Sequence, residues 1–494
     1  MTHSATEAVL ALIDQLPAPP DDDIGSFLTK LREELDGPIR IAVVGRIKGG
    51  KSTLVNALLG QKIAATDAGE CTQIPTVFKF GFPEKAELLY GDGTAEELPV
   101  TFGPLGGDLP EVRESKPVAL YVTLSNDLLR KFTIVDTPGF GSVRVDVSGR
   151  TWDYLLPTNG NDALIADAII FVISGEVLQE ELNALTALNV QYSTELGMAV
   201  STFGALTKVD LIGDIGGDLR LEAEERSALL RSQLSQFVTD VFPVLGLLAE
   251  TATSGSLTEP DGAAVARLAE LTDSEIANLL MSVDRFRNHA DCIEESSRHR
   301  LLELLGLRGI DLAVQSCRSG HRGAAALTKM LLEESWIEPL LQRLASLLSD
   351  NADVLRVSRA LRVLRDLSYS QASNDDSRKY YSELRNRVEV LRSSTQMHVL
   401  DEREAYHSLV RGLVELSDPW HERALRITRS GPIADIFADP DSEPLEIFAR
   451  ISQTIDEWRS FSYSCRDADQ GRVADIVIRS LEIEQHGMRS ITKE

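Results

Sequence analysis

The sequence predicts an α/β domain with a mostly parallel sheet, followed by an elongated all-α helical bundle. From about residue 39 to residue 250, short β-branched runs such as IRIAVVG and AIIFVIS alternate with helical patterns, as in a parallel sheet covered by helices. The segment 251–262, TATSGSLTEPDG, is rich in Thr, Ser and Gly and predicts a boundary. Beyond it, almost every segment has the helical period. We therefore expect the sheet domain over 37–255, the helical bundle over 263–494, and N-terminal helices over 1–36 that join the bundle.

The individual elements follow from the same periodicities. The expected strands are, in order, IRIAVVG, TVFKFGF, ALYVTLS, FTIVDTPG, AIIFVIS, AVSTFGALTKVD and VFPVLGLL. The stretch ALYVTLSNDLLRKFTIVD predicts one antiparallel hairpin, because two apolar runs flank a short polar segment. In the helical half, apolar residues fall on single stripes, as they do at Ile337, Leu340, Leu341, Leu344, Leu347 and Leu348. The polar segments 370–377 and 430–444 predict loops.

Charge and cysteine content restrict the class of protein. The 494 residues include 50 Lys and Arg against 76 Asp and Glu, a formal net charge of −26. Nucleic acid is therefore not expected as a partner, because phosphate binding requires a compensating basic surface. Four scattered cysteines form no CxxC pair and predict neither a disulfide framework nor a zinc site. We expect free thiols in a reducing cytoplasm, and no apolar run predicts a transmembrane helix.

A glycine-rich turn follows the first strand directly. The stretch GRIKGGKST fits G-x-x-x-x-G-K-[ST], the P-loop, in the expected context of strand, turn and helix. In such a loop, successive backbone N–H groups point at phosphate oxygens, and the helix N-terminus adds its dipole. We expect Lys51 to bridge the β- and γ-phosphates and Ser52 to bind Mg²⁺. The residues predicted to surround the phosphates are Gly45, Gly49, Gly50, Lys51, Ser52 and Thr53.

Two further motifs stand at strand ends, where ligands bind in an open α/β sheet. In FTIVDTPG, Asp136 is placed to hold the Mg²⁺ shell, and the N–H of Gly139 to sense the γ-phosphate. In ALTKVD, the carboxylate of Asp210 can accept both N1–H and N2–H of guanine, while the Lys208 stem packs over the base and Thr207 completes the motif. Adenine presents no such donor pair. The three motifs in this order predict a guanine-nucleotide site.

Two loops of the site have weaker signals. The segment TDAGECTQIPT is expected to act as a switch, in which a threonine completes the Mg²⁺ shell beside Ser52 and Asp136. Thr72 is predicted for this role and for catalysis. Thr76 is the alternative, and either residue could instead cap a turn. By position alone, the guanine-side loop after the last strand is expected near Ala249.

The P-loop, the switch segment, DTPGF, TKVD and the long helical second half together resemble the bacterial dynamin-like GTPases, in particular the isoniazid-inducible dynamin-like proteins. The resemblance implies a GTPase head on a helical neck and trunk that hydrolyses GTP to GDP and phosphate with Mg²⁺. It also implies assembly through the heads, as a homodimer or with a dynamin-like paralogue, and peripheral contact with the inner face of the cell membrane. The roles it implies for phosphate and metal fall on Lys51, Ser52, Thr72, Asp136 and Gly139, and those for guanine on Thr207, Lys208 and Asp210.

The sequence departs from related GTPases at the position of the attacking water. Small GTPases often carry a water-orienting Gln directly after DxxG, where this chain has Phe140. Eukaryotic dynamins offer a Gln and a Ser inside the P-loop, where this chain has Ile47 and Lys48. We therefore expect slow intrinsic turnover, or a group supplied by assembly. One hypothesis is that the Lys48 ammonium supplies charge in the transition state; the alternative is a solvated lysine.

The sequence shows no plain lipid anchor. Arg356, Arg359, Arg362 and Arg365 recur every third residue and so line one side of a helix. They could contact anionic lipid, but a solvated face or a partner for the acidic head is favoured. The absence of a wedge keeps a second function open, in which the chain is a GTP-dependent regulatory scaffold that partners a membrane-active paralogue without remodelling membrane itself.

Overall fold

The computed structural model of the chain describes residues 2–64, 74–98, 117–140, 166–196, 201–211, 218–349, 352–372, 374–429, 433–437, 443–465 and 467–491. One mixed sheet forms the centre of the first half. Its strands are β1 (Ile39–Gly45), β2 (Thr76–Phe80), β3 (Lys85–Tyr90), β4 (Ala95–Leu98), β5 (Pro117–Leu124), β6 (Phe132–Asp136), β7 (Ala168–Ser174), β8 (Ser201–Thr207) and β9 (Asp240–Pro243).

Helices flank the sheet and make up the second half of the chain. Those in the first half and directly after it are α1 (Thr2–Asp14), α2 (Asp22–Leu35), α3 (Lys51–Leu59), α4 (Gln179–Leu196), α5 (Leu219–Gln233), α6 (Gly246–Thr253), α7 (Glu259–Ala269), α8 (Asp273–Leu279), α9 (Val283–His289), α10 (Glu295–Arg318), α11 (Ala324–Glu334) and α12 (Ile337–Ser349). Those that follow are α13 (Ala352–Ser368), α14 (Asp375–Arg392), α15 (His398–Val410), α16 (Trp420–Thr428), α17 (Ala434–Phe437), α18 (Pro444–Ser464) and α19 (Ala468–Ile491).

The sheet is mostly parallel, which confirms the predicted fold class. Its strand order is β4-β3-β5-β2-β6-β1-β7-β8-β9, and the five strands from β6 to β9 run parallel. The predicted hairpin of β5 and β6 is wrong, because β2 lies between them, parallel to β5 and antiparallel to β6. The two predicted strands do run in opposite directions. However, β2 buries Val77 and Phe78 and lies between β5 and β6, which are therefore not neighbours in the sheet.

The hydrophobic core of the sheet continues well past residue 255. Leu268 on α7 and Leu327 on α11 share one core with Val44 and Phe171 of the sheet, and α12 packs into the core on its other face. The Thr/Ser/Gly-rich segment that predicted a boundary instead ends α6 and supplies Thr258, which starts α7 with a capping box. The packing therefore does not follow the predicted division at 255–263, because a helix-capping turn and an interdomain linker have the same composition.

Two further cores follow along the helical half. Helices α1 and α2 pack with α13 and α14 around residues such as Leu361 and Leu384, which we call the neck. Helices α15, α16, α18 and α19 pack around Trp458, which we call the trunk. Helix α15 contributes Leu400 to the neck core and Leu409 to the trunk core, so it joins the two. Among the helices described, none is both long and apolar enough to cross a membrane.

A buried ion cluster fastens the neck to the sheet. Arg359 on α13 is 3% exposed, and its guanidinium donates to Asp167 Oδ1 at 2.8 Å and to Glu34 Oε2 at 2.8 Å. Glu34 also pairs with Arg40 of β1, whose backbone N–H donates to Asp167 Oδ2 at 2.7 Å. The lipid interpretation of the arginine row is thus wrong for Arg359, which is a partner for the acidic head. The cluster joins α2 and α13 to the first residues of β1 and β7.

Replacing Arg359 with leucine is expected to lower the free energy of unfolding by about 3–5 kcal/mol, because the buried carboxylate of Asp167 would lose its cation and Glu34 would keep only Arg40. Thermal and denaturant unfolding would measure the change. Arg378→Leu is the matched control, since the Arg378 side chain is 72% exposed and pairs with Asp375 on the same helix; a loss within about 1 kcal/mol is expected there. Equal losses in both variants would contradict the role of the cluster.

Candidate nucleotide-binding site

The P-loop connects β1 to α3 with the geometry that its sequence predicts. Gly50 precedes the helix with φ +96°, a conformation that side chains rarely adopt. Lys51 is the first residue of α3 and is 7% exposed; its Nζ donates to the carbonyl of Arg46 at 2.9 Å, across the loop. A buried ammonium therefore lies inside the curl of the loop, where a phosphate would find a counter-charge.

The DTPG motif lies directly against the P-loop. The backbone N–H of Ile47 donates to the carbonyl of Phe140 at 3.1 Å, and that of Phe140 donates back to Gly45 at 3.3 Å. A Cβ on Gly139 would lie 2.8 Å from Cα of Ile47, so only glycine allows this approach. Phe140, which stands where other GTPases carry a water-orienting Gln, is 4% exposed and packs 5.8 Å from the ring of Phe171. It cannot orient water.

Ser52 and Asp136 form an arrangement that fits a divalent cation. Ser52 Oγ donates to Asp136 Oδ2 at 3.0 Å, and no residue of the described chain donates to Asp136 Oδ1, although that atom is buried. Burial raises the pKa of Asp136 to about 6, against the lowering effects of Lys51 and Ser52. A cation beside the unpaired oxygen would favour the ionised carboxylate. Hard oxygen ligands of this kind suit Mg²⁺.

The predicted switch threonine, Thr72, lies outside the described residues. Its alternative, Thr76, is the first residue of β2, is 8% exposed, and stands opposite Asp136 in the antiparallel register. A residue fixed in a strand is poorly suited to order and release with the γ-phosphate. Thr72 remains the prediction for that role.

The TKVD motif follows β8 at the same edge of the sheet. Thr207 donates from Oγ1 to the carbonyl of Gly49 at 2.6 Å, so its side chain ties β8 to the P-loop instead of reaching for the base. Lys208 has φ +56°, which turns the chain sharply after the strand. Asp210 is half-buried, and desolvation raises its pKa, with Lys208 acting in the opposite sense. A partly desolvated carboxylate is a strong acceptor for a donor pair.

The guanine-side loop after β9 differs from the positional prediction. Ala249 is buried inside α6, whereas the turn itself comprises residues 244 and 245 and leads into α6 at Gly246. A Cβ on Gly246 would lie 3.6 Å from the methyl group of Thr53, so this turn stands beside the first turn of α3. The turn is apolar in sequence. Only its place directly after a strand could have indicated it.

Lys48 combines an exposed side chain with an unusual backbone. Its φ is +60°, in the left-handed region that ordinarily favours glycine. This backbone conformation supports the hypothesis that Lys48 is functional, because a non-glycine residue held in the left-handed region often marks a functional constraint.

The fold and this arrangement of motifs define a P-loop GTPase of the dynamin class. The dynamin family model matches residues 41–208. The chain is 33% identical over 352 residues to the isoniazid-induced protein IniC of Mycobacterium tuberculosis, strains CDC 1551 and H37Rv, and the match covers 69% of each chain. It therefore belongs to the bacterial dynamin-like proteins of the IniC type, as the sequence motifs predicted, and it is a GTP hydrolase.

Two further similarities are more distant. A bacterial dynamin-like protein of Nostoc punctiforme is 36% identical over 75 residues, which is 15% of this chain and 11% of that one. A solved structure of an oligomerised bacterial dynamin pair matches 99% of this chain and 75% of its own at 15% identity, with a TM-score of 0.32. Function is argued below from this chain's own residues.

Proposed function

We propose that this dynamin-like GTPase binds GTP with Mg²⁺, hydrolyses it to GDP and phosphate, and couples turnover to assembly and to peripheral membrane contact. Assembly would pair G domains, in a homodimer or with a dynamin-like paralogue. The observation that carries the nucleotide part is the buried Oδ1 of Asp136, which accepts from no described residue and lies in the same carboxylate as the partner of Ser52 Oγ. The Arg359 cluster supports the coupling, because it fastens the neck helices to the strands that carry the site.

Each side chain of the site has a distinct task in this proposal. Lys51 neutralises charge between the β- and γ-phosphates, and the carboxylate of Asp210 holds the guanine N–H groups. Ser52, Asp136 and Thr72 hold Mg²⁺, which would supply Lewis-acid stabilisation of the phosphate oxygens. The glycine backbone of the P-loop, with Thr53 at the helix start, orients the phosphates. Gly139 approaches the loop closely enough for its N–H to report the γ-phosphate.

We assign to Lys48 a further positive charge, which stabilises the β–γ bridging oxygen in the transition state and which the residues above do not supply. Lys48→Ala is expected to lower kcat by roughly 10²-fold, the scale for losing one pre-organised electrostatic group, with a much smaller change in GTP affinity. The physical reason is that charge develops at the β–γ bridging oxygen only as the bond breaks. Steady-state turnover of the assembled protein would measure it, with Lys329→Ala as the exposed control. An unchanged kcat for Lys48→Ala would end this assignment.

The lipid contact that we propose is at the end of the trunk away from the neck. There the turn 411–419 meets the start of α19, since Gln470 donates to the carbonyl of Glu415 at 2.8 Å. Tyr463 is 92% exposed and Leu413 is 51% exposed. We call these two residues, together with Val410, the distal patch. Ile433 lies in the segment 430–444 that is predicted as a loop, and its side chain is buried in the trunk core.

Co-sedimentation with liposomes of anionic and of zwitterionic lipid, with and without GTP, tests membrane contact. The double variant Leu413→Asp and Tyr463→Asp is expected to reduce binding by about 10-fold or more, because two apolar side chains would no longer leave water. Val390→Asp is the control, since Val390 is 73% exposed but lies on α14 of the neck. Equal binding by the double variant and the wild type would contradict contact through the distal patch.

One observation favours the alternative function. Carboxylates at Glu415, Asp418 and Asp467 flank the distal patch, in a chain of net charge −26. Such a surface repels anionic lipid and favours a protein partner. If the wild type sediments with liposomes only when the membrane-active paralogue is added, the chain acts as a GTP-dependent scaffold and does not remodel membrane itself.

A further inference from the structure

A strained tryptophan separates α11 and α12, two helices that pack on the sheet. Trp336 lies between α11 and α12, is 8% exposed, and has φ +57°, a conformation that bulky L side chains rarely adopt. Its strain persists because the surrounding core fixes it, with Leu219, Leu245 and Leu331 in the same cluster. Strain held in this way points to a function for the turn.

The turn at Ser335–Trp336 contacts both segments on the guanine side. The carbonyl of Ser335, a fully buried residue, accepts a hydrogen bond from the backbone N–H of Leu245 at 3.0 Å, in the turn after β9. The Trp336 ring centroid lies 5.9 Å from the guanidinium carbon of Arg220, the second residue of α5 and ten residues after Asp210. One turn therefore braces the start of α5, which is the helix after β8, and the turn after β9.

The braced turn is itself fixed to the base-recognition strand. The backbone N–H of Val244 donates to the carbonyl of Leu206 at 2.9 Å, two residues before Lys208. Gly246, on the other side of Leu245, stands against Thr53 at the start of the P-loop helix. A displacement of the Ser335 carbonyl would therefore be transmitted to the turn after β9 through its hydrogen bond with the N–H of Leu245.

We propose that Trp336 is a positioning residue that slows the release of guanine nucleotide by holding these two segments in place. The inference rests on the proposed assignment of Asp210 to guanine. The phosphate side of the site, with Lys51 and Asp136, lies outside the braced segments. Release of nucleotide is therefore expected to change much more than the rate of the chemical step.

Stopped-flow release of fluorescent GDP from the full chain with Mg²⁺ tests the proposal. Trp336→Ala is expected to release GDP about 10-fold faster, Trp336→Phe less so, and Arg220→Gln about 3-fold faster. Arg220→Gln should add nothing in the Trp336→Ala background, because both changes remove the same contact.

Arg378→Gln and Trp458→Phe, in the neck and trunk, are the controls. The change in tryptophan fluorescence on GDP binding should be smaller in Trp336→Phe than in the wild type and unchanged in Trp458→Phe.

Additive effects of the two substitutions, or release rates equal to the wild type in both Arg220→Gln and Trp336→Phe, would overturn the proposal. These two variants decide the matter even if Trp336→Ala does not fold, because Arg220 is exposed and Phe retains a ring. A wild type that binds ADP as tightly as GDP would instead overturn the assignment of Asp210. The failure of the proposed function is thus distinguishable from the failure of this inference.

Discussion

Replacing Lys51 with alanine is expected to lower kcat/KM for GTP by roughly 10³-fold or more. Lys51 is 7% exposed, and its Nζ lies inside the curl of the P-loop, where it would be the counter-charge of a bound phosphate. Both ground-state binding and transition-state stabilisation depend on it, so KM should rise while kcat falls. Phosphate release assays and titration with GDP would measure the two effects separately.

The control for Lys51→Ala is Lys329→Ala, which removes the same chemical group from a side chain that is 79% exposed on α11. It is expected to leave turnover unchanged. The assignment of the P-loop would be contradicted if Lys51→Ala retained hydrolysis within about threefold of the wild type, a difference of less than 1 kcal/mol in transition-state stabilisation.

Replacing Asp210 with asparagine is expected to exchange the preferred base. The carboxylate accepts both N1–H and N2–H of guanine, whereas an amide accepts at one atom and donates at the other. Xanthine has a carbonyl at C2, so Asn at this position should complement it. We expect GTP affinity to fall by roughly 10²-fold, the scale of a lost charge-assisted pair plus a mismatched donor, while XTP affinity rises.

Asp284→Asn is the matched control for Asp210→Asn, because the Asp284 side chain is 86% exposed on α9. It should leave both affinities unchanged. Weakened binding of GTP and XTP alike in Asp210→Asn would show that the residue supports the loop and does not read the base. Competition against a fluorescent nucleotide measures all four affinities.

The nucleotide site was largely predictable from the sequence, because its chemistry depends on short contiguous motifs. The P-loop, Asp136 and Asp210 each follow an apolar strand, and the shared carboxyl edge of a parallel sheet brings them together. The turn at residues 244 and 245 has no polar residue, so no residue type in the sequence indicated it. The hydroxyl of Thr207 donates to the carbonyl of Gly49, which is 158 positions away in the sequence. The positioning role of Thr207 could therefore not be predicted from its sequence neighbours.

Features that depend on distant pairing were not predictable. The insertion of β2 between β5 and β6 exchanges neighbours without changing any local pattern. Arg359 belongs to a row of arginines with the spacing of a solvated helix face, yet its partners Asp167 and Glu34 lie 192 and 325 positions away. The φ of Trp336 results from the packing of two helices on the sheet, and no glycine, the residue that usually adopts such a φ, stands next to it in the sequence.

Competition between GTP and ATP for the wild-type protein, in the presence of Mg²⁺, tests the central claim most directly. A guanine-nucleotide site built on Asp210 should bind GTP at least about 10²-fold more tightly than ATP, because adenine leaves a half-buried carboxylate facing an acceptor instead of two donors. Hydrolysis should follow the same preference. Equal affinity for the two nucleotides would contradict the account.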